Sequence, residues 1–351
     1  MNPVSFAAQH ILVFTKPGYL GDTIVATPFL RRLREALPTA HIVLLGGPSA
    51  PVLLRGCPYT SEIWMQYSGN RHSFRSEVRL VQRIKDAHFQ AAFLLDRSIR
   101  SATLAALARI PMRIGHATEH RRLLLTHSIP YDWDRPDREC ALALLRSLSL
   151  PADPALPELW VVDEERRAAR SLLVRQGVEE GALLVGMQPG ANDAPVRAWP
   201  AERFGAVAQQ LAHRFGARTI LLGSAQEAPA AAVATRHSGS QAVNLVGQTD
   251  LRTALALISL CTLWIGNDGG LLHAAVALGP RTVGIFGPTK AARWGYSTHR
   301  HRTLVHFPPK PTKDPAALRS CLDAVTVDEV LDAAAQLLQD PSRFAGEDRV
   351  I

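Results

Sequence analysis

Apolar runs of strand length alternate with longer segments of helical period along all 351 residues. This is the pattern of parallel sheets covered by helices on both faces. In the first half the strand candidates are 10–15, 41–45, 62–66 and 91–95, with helical segments between them. The helix after the first strand is expected from about residue 22 to 36, stopping before Pro38. A stretch rich in Pro and acidic residues, 150–158, reads as a linker. The pattern then restarts with strand candidates at 183–187, 219–222, 242–246, 263–266 and 281–286. Two doubly wound α/β domains in tandem follow, 1–155 and 156–351, the last helix being a candidate to pack back on the first domain. Ligands of such sheets lie beyond the carboxyl ends of the strands, which makes the cleft between the domains the expected site.

Composition narrows the class. With 47% hydrophobic and 20% charged residues the chain is globular. No apolar run approaches the roughly 20 residues of a membrane helix, and the first apolar run, HILVF, is short for a signal peptide and suits a buried strand. Cysteines 57, 140, 261 and 321 have neither paired spacing nor neighbouring histidines, so neither a disulfide framework nor a zinc site is expected. A reducing cytoplasm is the expected home. The net charge of +8 is one-sided: residues 1–150 hold 19 Lys and Arg against 11 Asp and Glu, whereas 151–351 are balanced. Such a field concentrates anionic ligands, so the first half is expected to face something negative; an arginine-rich solvated surface is the plainer reading.

Three segments carry chemistry. In KPGYLGDTIVATPFLRRL (16–33), glycines 18 and 21 loosen a strand-to-helix turn and set Asp22 at or near the helix start. There it serves either as an N-cap or as a carboxylate facing the site. The spacing is not GxGxxG, and no GxxxxGK loop occurs, which removes the best support for nicotinamide chemistry and nucleotide hydrolysis. In GMQPGANDAPVRAWPAERF (186–204), a strand ends at a Gly-rich turn before Pro200 opens a helix. Gly190, Ala191 and Arg197 stand where a diphosphate can rest on amides and a guanidinium; an ordinary helix-entry loop is the alternative. In LWIGNDGGLLHAAVALGPRTVGIFGPT (263–289), a strand delivers Asn267 and Asp268 to the Gly269–Gly270 turn. A helix then begins whose first amides form an anion site. His273, one turn in, faces either the ligand or the sheet.

Together these segments resemble glycosyltransferase family 9, the heptosyltransferases of the lipopolysaccharide inner core. The likeness extends through RIGHATEHRRLLLT (113–126), PGAN with RAWP, LLGSAQE (221–227), NLVGQTDLRTALALI (244–258), NDGGLLHAAVALG, IFGPT and CLDAVTVDEVLDAAAQLL (321–338). It implies a GT-B architecture, two Rossmann-like domains facing across a cleft, with the acceptor on the first domain and the nucleotide sugar on the second. Asp22 then resembles the general base of an inverting transfer. Gly190, Ala191, Asn192, Arg197, Gly269 and Gly270 resemble the family's phosphate cradle. Glu227 matches the ribose-binding position, Val246 and Gly247 the adenine wall, and Asp268, with His273 beside it, the donor-sugar contact. Gly21, Arg97, Arg100, Arg113, Arg121 and Arg122 fall on the acceptor side.

The resemblance further implies ADP-heptose as donor, with no other cofactor, and an anionic glycolipid acceptor, Kdo-lipid A or a heptosylated core. No nucleic-acid partner is expected. The expected place is the cytoplasm, in peripheral contact with the inner face of the inner membrane. No D-x-D cluster of acidic ligands is read here, so a metal-independent transfer is expected. Two positions depart from the family: Gly269 stands where Thr or Ser is common, and Arg197 where Lys is common. Alternatives kept open are another nucleotide sugar or a protein acceptor, a nucleotide-sugar epimerase of GT-B shape, and a noncatalytic binding module.

Overall fold

The computed structural model describes residues 8–66, 73–191, 197–239, 241–287, 291–308, 310, 312 and 314–339. The chain divides into two compact units, Met1–Trp160 and Val161–Ile351. Unit one holds a six-stranded parallel sheet of β1 (His10–Phe14), β2 (His41–Gly46), β3 (Glu62–Met65), β4 (Ala91–Leu94), β5 (Met112–His116) and β6 (His127–Ile129), in the order β3-β2-β1-β4-β5-β6. Unit two repeats the plan with β7 (Leu184–Gln188), β8 (Arg218–Leu221), β9 (Ala242–Asn244), β10 (Leu263–Asn267), β11 (Arg281–Ile285) and β12 (His301–Leu304), ordered β12-β11-β10-β7-β8-β9. The strands are all parallel, and the sideways order in which they are added reverses between β1 and β4 in one sheet and between β7 and β10 in the other. A doubly wound sheet opens its ligand crevice at that switch.

Central strands form because their apolar runs are buried on both faces: β1, β4, β7, β10 and β11 are buried nearly throughout. Strands β5, β6 and β12 lie outside the sequence expectation. Their segments MRIGH, HSI and HRTL are too short or too polar to stand out as apolar runs. Each sheet ends in short strands: β6 and β9 have three residues, β3 and β12 four.

The single helix expected over 22–36 is two, Leu20–Ile24 and Thr27–Ala36. Pro28 has no N–H to offer the Ile24 carbonyl, and its ring opposes a continuous helix there. The Thr27 hydroxyl donates to that carbonyl instead, at 2.8 Å, and Pro28 opens the second helix.

The expected linker is anchored. Glu158 accepts from Arg31 Nη1 at 2.5 Å and from the Tyr59 hydroxyl at 2.6 Å, and its amide donates to Thr27 Oγ1 at 2.9 Å. Trp160 stacks edgewise on Tyr59. These contacts carry the unit boundary past residue 155. The last described helix, Val327–Gln339, buries Val330, Leu331, Ala334, Leu337 and Leu338 in the core of the second unit, packing on the helix Ala201–Phe215 and on β11 and β12.

Candidate active site

In the first unit, functional groups collect where β1 and β4 end. The turn after β1 places Gly18 at φ +99°, in the left-handed region that favours glycine. Asp22 then lies inside the first turn of the helix Leu20–Ile24; the cap position is Tyr19, which makes no side-chain capping bond. The capping reading of Asp22 therefore gives way to a half-buried carboxylate. Burial raises its pKa to about 6, with a further upward push from Asp137 and opposing pulls from Lys16 and Arg97.

Arg97, just beyond β4, donates through Nη1 to the Tyr131 hydroxyl at 2.9 Å and to Asp137 Oδ1 at 3.2 Å. Its guanidinium also lies over the Tyr131 and Trp133 rings. Tyr131 hydrogen-bonds Asp137 as well, and burial holds the Asp137 carboxyl above its usual range. Lys16 sits over the Tyr19 ring at 4.3 Å. Sequence reasoning assigned no role to Lys16, Tyr131, Trp133 or Asp137. Only Lys16 stood inside a segment already singled out.

The other acceptor-side arginines separate by burial. Arg121 is 0% exposed. Its donors go to Asp96 Oδ1, Ser101 Oγ and the carbonyls of Leu94, Asp96, Ser98 and His116. This corrects its assignment as a ligand contact, because no face of the guanidinium is left for one. It is a buried tie between β4, β5 and the 3-10 turn Arg121–Leu124. Arg113 spends Nε and Nη1 on the carbonyls of Leu124 and Ile110, 2.6 Å each. Arg100 forks onto Glu77 at 2.9 and 3.2 Å and reaches Gln66 Oε1 at 2.6 Å. Arg122 is exposed, and Gly21 is half-buried beside Asp22. The chain does contain a D-x-D triplet, Asp132-Trp133-Asp134, contrary to the sequence reading. Asp132 there pairs with Arg135 at 3.0 Å and accepts from the Asp134 amide.

In the second unit the predicted donor residues gather beyond β7, β8, β9 and β10. Glu227 is buried; Oε1 accepts from Gln188 Nε2 at 2.8 Å, and Oε2 accepts from the Ser224 amide and hydroxyl at 2.7 and 3.1 Å. A methyl group at Gly190 would stand 2.6 Å from Glu227 Cγ, and one at Gly223 would stand 2.7 Å from Glu227 Oε2, so both glycines admit the carboxylate by lacking one. Gly247 has φ +71° and a Cβ there would lie 2.9 Å from Ala225 Cα. Its amide donates to Gly223 O at 3.0 Å, and Val246 beside it is buried.

Asn267, buried at the end of β10, ties down Gly190 and Trp199. Its Oδ1 accepts from the Trp199 amide at 2.9 Å and its Nδ2 donates to Gly190 O at 3.0 Å. Next to it, burial raises Asp268 to about 6, opposed by Arg197, which brings these two residues together. Gly269 caps the helix Gly270–Leu278 without a side-chain bond, leaving the first amides of that helix to serve an anion. Gln188 Oε1, buried and lacking a hydrogen-bond partner among the described residues, lies 3.4 Å from where a Gly269 Cβ would be. Ala191 is half-buried; Asn192 lies outside the described residues. His273 is enclosed: Nδ1 is 2.8 Å from the Tyr296 hydroxyl, and the ring packs on Trp294 and Tyr296.

Among the described residues no three His, Cys, Asp or Glu side chains gather as a metal-holding group, and no helix is long and apolar enough to cross a membrane.

The sequence model of glycosyltransferase family 9 (heptosyltransferase) matches residues 77–320. Lipopolysaccharide heptosyltransferase 2 of Salmonella typhimurium is 29% identical over 299 residues, covering 82% of this chain and 86% of the relative. The protein of the same name from Escherichia coli is 28% identical with the same coverage. Among solved structures, a glycosyl transferase of family 9 from Veillonella parvula superposes with a TM-score of 0.83 at 22% identity, covering 94% of this chain and 97% of its own. The E. coli ADP-heptose lps heptosyltransferase II gives 0.77 at 25% identity, covering 94% and 99%.

Proposed function

We propose, for a chain that belongs to glycosyltransferase family 9 and is therefore a glycosyltransferase, that the group it moves is a heptose, taken from ADP-heptose and placed on the Kdo or heptose inner core of lipopolysaccharide. The names of the relatives support the sugar and the acceptor class. One observation carries the residue assignments. Positions that match the family's motifs lie at the strand-order switch of each sheet: Asp22 in the first, Gly190, Asp268 and Gly269 in the second, with Glu227 hydrogen-bonded to Gln188 at the end of β7.

In this reading Asp22 accepts the proton of the attacking acceptor hydroxyl while the diphosphate leaves from the opposite face of the anomeric carbon, which inverts configuration. A carboxylate held near pKa 6 is ionised at neutral pH yet basic enough to take a proton. The leaving diphosphate accumulates charge, and Arg197 with the first amides of the helix Gly270–Leu278 supplies fixed positive potential for it. Glu227 takes ribose hydroxyls, Val246 and Gly247 line the adenine, and Asp268 with Gln188 Oε1 accepts hydroxyl groups of the donor. No metal is required. The reaction runs on the cytoplasmic side of the inner membrane.

The test is a thermal-shift comparison of ADP, UDP, GDP and CMP with and without magnesium. ADP alone is expected to raise the melting temperature, equally with and without the metal. A preference for UDP, or an absolute magnesium requirement, would overturn the donor assignment.

A further inference from the structure

Gln188 ends β7, one of the two strands that flank the order reversal of the second sheet, and it is 8% exposed. Its carboxamide touches the loops that follow both neighbouring strands. Nε2 donates to Oε1 of Glu227, in the 3-10 turn after β8, at 2.8 Å. The same amide lies along the Gly269 turn after β10, where a Cβ would stand 3.4 Å from Gln188 Oε1 and 4.0 Å from Nε2. One side chain thus meets both the carboxylate matched to the ribose position and the turn matched to the phosphate cradle.

The orientation of this amide follows from its partner. An ionised carboxylate only accepts, so the amide presents its N–H to Glu227. The amide oxygen is thereby turned away from Glu227, and it is buried with no hydrogen-bond partner among the described residues. An unpaired buried acceptor costs stability. Methionine, of nearly the same volume, would fill the place without that cost. The use of an amide here therefore lies in the bond that its N–H makes.

That bond completes the hold on Glu227. Oε2 accepts from the Ser224 amide and hydroxyl at 2.7 and 3.1 Å, which pins one oxygen. Gly190 and Gly223 crowd the side chain from either side. The last torsion of a glutamate is soft, so the carboxylate plane is left to turn unless the second oxygen is held as well. Gln188 holds it and fixes the direction of the lone pair that Oε1 keeps for a ligand. All three donors to Glu227 are neutral, so no cation competes with a ligand hydroxyl for the carboxylate.

We infer that Gln188 is a positioning residue for nucleotide recognition: by fixing the plane of the Glu227 carboxylate it makes the site distinguish a ribonucleotide from its deoxy form. The inference rests on the reading that Glu227 takes ribose hydroxyls, and it names the residue on which the selectivity of that contact depends.

The experiment is isothermal titration calorimetry of the full chain with ADP, 2′-deoxy-ADP and 3′-deoxy-ADP. The wild type should bind ADP about tenfold more tightly than the weaker of the two deoxy analogues. Gln188→Met should lower ADP affinity about tenfold and leave that analogue unchanged, so that the preference shrinks to about twofold or less. Gln188→Asn, one carbon too short to reach Glu227 yet still polar, should lose the preference in the same way. A residue that only supported the fold would weaken all three nucleotides alike. Glu227→Gln should also lose the preference, and adding Gln188→Met to it should change ADP affinity by less than about twofold, because both act through one bond. Full preference in both Gln188 variants, a parallel loss for all three nucleotides, or an additive double variant each overturns the inference and leaves the ADP reading standing. A wild type that binds ADP and both deoxy analogues equally removes Glu227 from the ribose and takes the inference with it. The thermal-shift comparison of ADP with UDP, GDP and CMP decides the donor base independently of either result.

Discussion

Asp22, the proposed base, sets stability against chemistry. Its pKa is raised, so between about pH 4 and 6 the folded chain binds more protons than the unfolded one. Stability contributed here therefore falls as pH rises through that window, and the penalty is fully present above it. Asp22→Asn is expected to melt higher than wild type at pH 8, with the difference closing below about pH 4. The same variant should lose about a thousandfold in kcat while keeping its ADP-induced thermal shift. In the wild type, kcat/KM should climb with pH and level off above about pH 6, as expected for a base that must be ionised. A flat profile, or full turnover in Asp22→Asn, would remove the residue from the mechanism. Arg121 and Arg122 make a second contrast at this scale. Arg121→Met should cost about 3–5 kcal/mol in urea unfolding by stranding buried Asp96; Arg122→Ala should leave the midpoint unchanged. The sequence could not separate these neighbours, because burial of an arginine depends on the strands and carbonyls that close around it.

At the scale of elements, the buried Asn267 side chain ties the end of β10 to Gly190 and Trp199. Asn267→Ala strands the Trp199 N–H and the Gly190 carbonyl, and an unfolding loss of about 2–4 kcal/mol is expected by chemical denaturation. Gly190→Ala forces a methyl against Glu227 and should cost about 1–3 kcal/mol together with most of the ADP-induced shift. The Gly-rich turns after β7 and β10 were legible in sequence as turns that follow apolar strands, a pattern that an ordinary helix-entry loop shares, so only their place in the fold could be read from it. Asn267 was visible in its motif yet carried no assigned role, since its partners lie 68 and 77 positions away. Strands β5, β6 and β12 were missed for a related reason: they are held by neighbours in the sheet more than by their own apolar pattern. The break before Thr27 was legible in principle at Pro28.

For the molecule as a whole, the alternation of apolar runs gave the doubly wound class and the two-unit division. The site needed the switch points, which arise only when distant strands pair. Each unit has its own six-stranded sheet and the second has a core of its own. Residues 161–351 expressed alone are therefore expected to unfold in one cooperative step and to retain ADP stabilisation. Failure of the fragment to fold would show that the first unit completes that core.

The strands that close both sheets have a consequence for handling the protein. Strands β6 and β9 offer three residues each, while β3 begins with Glu62 and β12 opens His-Arg. So brief and polar a margin gives another chain little template for main-chain pairing. Concentrated native protein should thus resist fibrillar association, and any turbidity on standing should trace to unfolded molecules rather than to folded ones joining side by side.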